Sequence, residues 1–304
     1  MNLDWIDLLP EEKQDKIRDE YLKSSKIEKI NLLHNNHPEG LANIDPITSL
    51  DEFLKIIRVI STESTWYRGE SKQNEFLIPK LYRNISQERL SITLSNERDY
   101  FVEFRRRSRH LVKNIGHNDY WSWYFLLQHY GGATRLLDWS KNPAVALFMA
   151  LDIKKENSGN SIVYLLAPTV LSDYAFQEIK YDDSNNARIL YPGEDQTDMW
   201  ISNIIEKNNS IPNSPIALLP AYSDQRIISQ HSCFTLFGNQ INGFIKEEKP
   251  IVCPCCDRKI IHKIIIDGKS KEKLLKELKR IGISSAEIYP GLEGLVKDLN
   301  NEFL

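Results

Sequence analysis

The sequence predicts an α+β fold, with a helical N-terminal part followed by a mixed, mainly antiparallel sheet. Three observations predict it. Apolar residues recur at three- and four-residue spacing through most of the first half, whereas short apolar runs rich in isoleucine, valine and leucine gather in the second. The two kinds of segment show little regular alternation, which argues against a doubly wound parallel sheet. The chain has 304 residues, 41% hydrophobic and 27% charged, enough for one large domain or two small ones.

The elements follow in order. "PEEKQDKIRDEYLKSSKIEKINLLHNN" places Pro10 at a helix start, then Ile17, Tyr21 and Leu22 at helical spacing. Its charge marks residues 1–46 as a helical extension suited to oligomerisation or a partner, and "HPEGLANIDP" ends it. Ser49 and Glu52 form a capping box ahead of "LDEFLKIIRVI", whose apolar face is Phe53, Ile56, Ile57 and Ile60. "STWYRGES" reads as a strand ending at Gly69, and "FLIPKLYRN" as an extended, proline-broken segment.

A long helix is expected from Glu88 to Val112, dense in arginine. Its Arg105, Arg106, Arg107 and Arg109 are either a solvated face paired with Glu97, Asp99 and Glu103, or a contact for phosphates. "DYWSWYFLLQHYG" is an aromatic helix closed by Gly131 or Gly132. The next stretch, "GATRLLDWSKNP", reads as a turn in which Arg135 and Asp138 pair. Asn142 and Pro143 then start the helix "AVALFMALDI". The strands "SIVYLLAP", "PIALLPAY", "CFTLFG" and "KIIHKIIID" follow, interrupted by helices at 170–179 and 195–206. "KSKEKLLKELKRIGI", an amphipathic helix stopped by Gly282, and "GLEGLVKDLNNEF" close the chain.

Several function classes are disfavoured. A net charge of −3, spread over both signs, gives no global field for nucleic acid or membrane. No apolar run reaches roughly 18 residues, and "MNLDWIDLLPEEK" lacks the basic start of a signal peptide, so the cytoplasm is expected. Cys253, Cys255 and Cys256 fall in "VCPCCDRKIIH", tighter than the paired spacing zinc prefers. A site from Cys233, Cys253, Cys256 and His262 is conceivable, but reduced thiols are the favoured reading and no metal is expected.

The candidate chemistry lies in two stretches. Arg68 offers a planar fork of donors for phosphate, and Gly69 would let a ligand approach the backbone. Tyr67 and Trp139 could stack on a flat ring, and Ser140 could direct a hydroxyl at an amide or ribose. His129 could act as donor or base near neutral pH, and Glu70 is, with Asp138, the carboxylate of these motifs. Structural alternatives stand beside these: a buried Arg68–carboxylate pair, a core Trp139, a His129 that caps its helix.

Four segments carry a family resemblance. They are "WYRGESKQNEFLIPKLYR", "LLQHYGGATRLLDWSKNPAVALFMA", "QRIISQHSCFTL" and the closing "HKIIID" with "LKELKRIGISSAEIYPGLEGL". Together they resemble the FRG-domain family, named for a Phe-Arg-Gly signature that here is Tyr67-Arg68-Gly69. The resemblance spans about residues 48–300 and sets the domain at 47–304. This chain departs from the family at Glu70, Ala133 and Ser140, where glutamine, proline and threonine are usual or common. The resemblance implies a bacterial or phage-borne protein, in some cases part of a defence or toxin module, and no particular reaction.

A fainter similarity is to ADP-ribosyltransferases of the arginine–serine–glutamate type. They place Arg-Gly at the end of an early strand and a serine ahead of a helix rich in alanine and phenylalanine. That similarity implies NAD as substrate, with Arg68, Gly69, Tyr67, Trp139 and Ser140 binding it. Glu70, His129 and Gln230 would assist transfer or hydrolysis of ADP-ribose. Gln230 stands nearest to the late acid of that family but cannot carry its negative charge. The alternative is a non-catalytic ligand-sensing module, or one that meets a protein or nucleic acid. The oligomeric state is not legible. The enzymatic expectation requires Arg68 and Ser140 to open onto one hollow.

Overall fold

The computed structural model describes residues 11–23, 45–72, 77–151, 159–178, 189–193, 197–198, 201, 212–222, 224–246, 249–250 and 260–303. The cysteines of "CPCC" and most of the helix expected at 195–206 lie outside the described residues.

Helix α1 spans Glu11–Lys23 and α2 spans Leu50–Ile60. Ser49 caps α2 as its sequence predicts, accepting from the Glu52 N–H at 3.3 Å. The Glu52 carboxylate returns to the Thr48 N–H at 2.9 Å, one residue outside the usual capping box. Strand β1 (Trp66–Glu70) follows, then a 3-10 turn at Lys80–Tyr82 and the long α3 (Gln87–Ser108). Helix α4 (Tyr120–His129) is ended by Gly131, whose φ of 74° is the left-handed conformation that suits glycine.

The stretch expected to be a turn is strand β2 (Leu136–Ser140). The turn is over by Gly132, and Leu136, Leu137 and Trp139 are all buried around an exposed Asp138. Arg135, just ahead of the strand, is buried and pairs with Glu97, whereas Asp138 is exposed, so the expected Arg135–Asp138 pair does not form. Helix α5 (Pro143–Ala150) starts where Asn142 and Pro143 predict, with the Asn142 side chain accepting from the Ala144 N–H at 2.9 Å. Strand β3 is Ser161–Leu166, α6 is Pro168–Glu178 and β4 is Ile216–Leu218. Helix α7 (Gln225–Ser229) precedes β5 (Ser232–Leu236), and two short strands, β6 (Ile245–Lys246) and β7 (Lys249–Pro250), pair as a ribbon. The chain closes with β8 (Ile261–Ile266), α8 (Lys271–Arg280), α9 (Ser285–Ile288) and α10 (Leu292–Phe303).

The chain divides into two compact units. The first comprises residues 1–75, 140–166 and 261–304. In it β1 pairs antiparallel with β3, and β3 with β8. Tyr67 of β1 stands opposite Ser140, the last residue of β2. One face of these strands carries Tyr67, Val163, Leu165, Ile264 and Ile266. It packs against Phe53 and Ile56 of α2, Leu147 and Ala150 of α5, and Leu274 and Leu278 of α8. Each such side chain contributes about 1.5–3 kcal/mol by leaving water. Ile17 of the N-terminal helix joins the same core.

The second unit comprises residues 76–139 and 167–260. There β4 pairs antiparallel with β5, and β5 neighbours β2. Its core is aromatic: Phe101, Trp121, Trp123, Tyr124, Phe125 and Phe234 are buried together, with the Phe125 and Phe234 rings stacked at 5.2 Å. The fold is thus α+β with antiparallel strands, and α2 and α8 show the amphipathic periodicity that the sequence predicts. Among the described residues no helix is long and apolar enough to cross a membrane.

Candidate functional site

In β1 the side chains of Arg68 and Glu70 share a face, two residues apart on one strand. Both nitrogens of the Arg68 fork reach one oxygen of Glu70, Nε at 2.6 Å and Nη2 at 2.5 Å from Oε1. The pair is partly open, at 13% and 9% exposure. Antiparallel register sets Tyr164 of β3 opposite Arg68, and Lys263 of β8 opposite Tyr164. Directly opposed residues point to the same side of a sheet. Arg68, half-buried Tyr164 and exposed Lys263 therefore form a row across three strands, on the face opposite the α2, α5 and α8 core, a face whose Trp66, Ile162 and Leu166 are buried.

Ser140 faces the other way. Its partner across the strands is Tyr67, which lies in the helix-packed core, so Ser140 and Arg68 project from opposite faces. The expectation of one hollow shared by the two gives way here. The Ser140 hydroxyl accepts from the Asn142 N–H at 2.9 Å and donates to the Asn142 carbonyl at 3.2 Å, closing the strand-to-helix turn. Gly69 also serves the fold. A Cβ there would overlap the Ala146 carbonyl oxygen and sit 2.5 Å from the Ala150 nitrogen, so the space a ligand was expected to use is filled by α5. Tyr67 is buried, which pushes its phenol above the ordinary value, and its ring is part of the core rather than a stacking platform.

The "QHYGGATRLLDW" block lies in the second unit, where its polar groups bind one another. Arg135 Nε donates to Glu97 Oε2 at 2.6 Å, Tyr124 donates to Glu97 Oε1 at 2.6 Å, and the Arg135 N–H donates to the Tyr124 oxygen at 3.0 Å. Burial pulls the Arg135 guanidinium down, but the Glu97 carboxylate outweighs it and holds the charge above its ordinary value. Burial, helped by the same carboxylate, drives the Tyr124 phenol well up. Gln128 donates to Asp138 Oδ2 at 2.9 Å and accepts from the Thr134 hydroxyl, a network that lashes the end of α4 to β2. Trp139 is a core residue, its indole N–H donating to Thr235 at 3.1 Å and its ring edge-on to Phe244.

His129 meets a residue the sequence reading missed. Its Nδ1 lies 2.9 Å from Asp224 Oδ2, while Asp224 Oδ1 caps α7 by accepting from the Arg226 and Ile227 N–H groups. Gln230 is the buried C-terminal cap of that helix. An aspartate just ahead of "QRIIS" is a helix-start signal that could have found Asp224. Glu97 was also misread, as a solvated partner of the arginines. It follows Leu90 by seven residues and precedes Phe101 by four, so it lies on the buried stripe of α3.

Within the arginine run Arg106, Arg107 and Arg109 are exposed, whereas Arg105 is half-buried. Arg106 and Arg107 both bind Glu103, whose carboxyl their hydrogen bonds hold down to about 2, and Arg105 lies over the Tyr120 ring at 4.6 Å. Among the described residues no group of three His, Cys, Asp or Glu side chains is placed to hold a metal, and Cys233 is a buried thiol.

No curated protein and no solved structure matches the chain. A family profile does, over residues 63–159, and its description is FRG domain. The match takes in Tyr67-Arg68-Gly69 and the Thr134–Trp139 block, the two motifs on which the resemblance rests most firmly. Residues 63–159, about a third of the chain, therefore match the FRG domain.

Proposed function

We propose that the chain binds an anionic nucleotide such as NAD along the row of Arg68, Tyr164 and Lys263. The observation that supports this is the row itself: two cations flank a half-buried tyrosine on the sheet face away from the α2, α5 and α8 core. Strands lie about 4.8 Å apart, so Arg68 and Lys263, two strands apart, stand about 10 Å from one another. A diphosphate laid across the row meets both, and the Tyr164 ring offers a flat surface between them.

Glu70 gives this reading its chemistry. A carboxylate next to the phosphate-binding arginine can accept a ribose hydroxyl and offset positive charge as the bond to nicotinamide breaks, so that ADP-ribose passes to water or an acceptor. Gly69, Tyr67 and Ser140 support the nucleotide's platform rather than touch it, Trp139 belongs to the core of the other unit, and no step is assigned to His129 or Gln230. Consumption of a dinucleotide would suit the bacterial defence or toxin modules that the family resemblance implies. A second reading has its own observation: Glu70 is already engaged by Arg68, which suits a ligand sensor that does no chemistry.

Calorimetric titration with NAD, run beside chromatography for free nicotinamide, tests both. Binding that weakens at least tenfold in Lys263→Ala and Arg68→Ala, with nicotinamide released by the unaltered chain, is the expected result. Binding without release favours the sensor. No binding by the unaltered chain removes both readings.

A further inference from the structure

Between Arg98 and His117 the chain carries five arginines and one lysine against two acids, a surplus of four positive charges in a chain whose net charge is −3. The surplus is sorted around α3. Asp99 and Glu103 turn about 100° away from Arg98 and Val102, and Glu103 is taken up by Arg106 and Arg107. Arg98, Arg105 and Arg109, spaced seven and four residues apart, share the other flank. Among the described residues none of these three has a carboxylate partner. Arg105 donates to the His117 carbonyl and lies over the Tyr120 ring. Arg109 donates to the Ile115 carbonyl at 2.9 Å and lies 5.8 Å from the centre of the Trp123 ring. These neutral partners aim each guanidinium without cancelling its charge, and each carbonyl engages one of the five N–H donors of its fork.

We propose that this flank binds the phosphate backbone of a nucleic-acid duplex. Charge selects the partner. Like charges four residues apart destabilise a helix, so the row is unfavourable for the chain alone and a polyanion relieves it. Along the helix axis the three Cα atoms stand about 10 Å and about 6 Å apart. A straight line of cations at that spacing suits a stiff polymer of phosphates rather than a single anion. A lipid surface fits less well. A helix that lies in a membrane interface buries a broad apolar face, whereas the exposed apolar residue set among these arginines is Val102. Contacts of this kind read charge and not bases, so the binding is independent of sequence. The surface belongs to the second unit and does not rest on the nucleotide reading.

Fluorescence anisotropy of the full chain with a labelled DNA duplex of about 20 base pairs, read across salt concentrations, tests it. The unaltered chain binds with a log–log salt slope of about −3, one phosphate for each arginine. Arg98→Gln with Arg109→Gln weakens binding about tenfold at about 50 mM salt and brings the slope to about −1, while far-UV circular dichroism stays unchanged. Arg106→Gln with Arg107→Gln, on the flank that holds Glu103, leaves the slope as it was. Should Arg109→Gln disturb the fold, Arg98→Gln alone still lowers the slope by about one. No binding by the unaltered chain at about 50 mM salt, a slope that both double variants lower alike, or a slope unmoved by Arg98→Gln overturns the proposal. Tighter binding to phosphatidylserine vesicles than to the duplex overturns it as well.

Discussion

Arg135 and Glu97 form an ion pair 2.6 Å long whose side chains are 5% and 1% exposed. The arginine belongs to the motif block and the glutamate to a helix thirty-eight residues earlier, so the pair closes a long loop in the second unit. A buried charge left without its partner is costly, about 3–5 kcal/mol. Glu97→Ala should lower the unfolding free energy by that amount in urea titration, whereas Tyr124→Phe, which loses one hydroxyl from the same network, should cost about 1–2 kcal/mol. Equal and small losses in both would mean that Arg135 is solvated and that the pair does not hold β2 to α3.

Gly69 decides between a ligand and a helix as the reason for its missing side chain. The Ala146 carbonyl and the Ala150 nitrogen occupy the space a methyl group would need, and both belong to helix backbone that cannot swing aside. Gly69→Ala should therefore destabilise by about 3 kcal/mol or more, seen as a fall in thermal midpoint with or without nucleotide. A variant with unchanged stability and lost nucleotide affinity would return Gly69 to the binding site.

These two positions also mark how far the sequence could be read. Helix starts were legible at Ser49 and Asn142, because one side chain and its next turn determine a cap. The family signature at Tyr67-Arg68-Gly69 and Thr134–Trp139 was legible for the same local reason. What Arg68 and Ser140 face was not. Register alone decides which side of a sheet a residue takes, and a shift of one residue reverses it. The Tyr67–Ser140 register joins strands far apart in the chain, which no short motif records. Glu97 and Asp224 were hidden in another way: each bonds a residue far away in the chain, and only the fold makes them neighbours.

Ser140 now has a local task, and that gives a discriminating prediction. Its hydroxyl satisfies the Asn142 N–H at the start of α5, so Ser140→Ala should cost about 1 kcal/mol, the usual loss for a helix-start hydrogen bond. NAD affinity should stay within twofold of the unaltered chain in the same calorimetric titration. Affinity lost without any loss of stability would place the Ser140 hydroxyl on the ligand and contradict the face assigned to it.

Asp298 is the carboxylate that ties α10 to α9. Burial tends to raise its carboxyl, but hydrogen bonds from the Ser284 hydroxyl and from the Ala286 and Ser285 N–H groups prevail and hold it below the ordinary aspartate value. A carboxyl depressed in the folded state stabilises above its unfolded value, about pH 3.9, and that contribution disappears as the pH falls through the folded value. The amide of Asp298→Asn does not titrate in this range. The difference in thermal midpoint between the unaltered chain and Asp298→Asn should thus be largest near neutrality, begin to shrink near about pH 4 and vanish below it. A difference that stays constant to about pH 2 would show that the ionised carboxylate is not what ties α10 to α9.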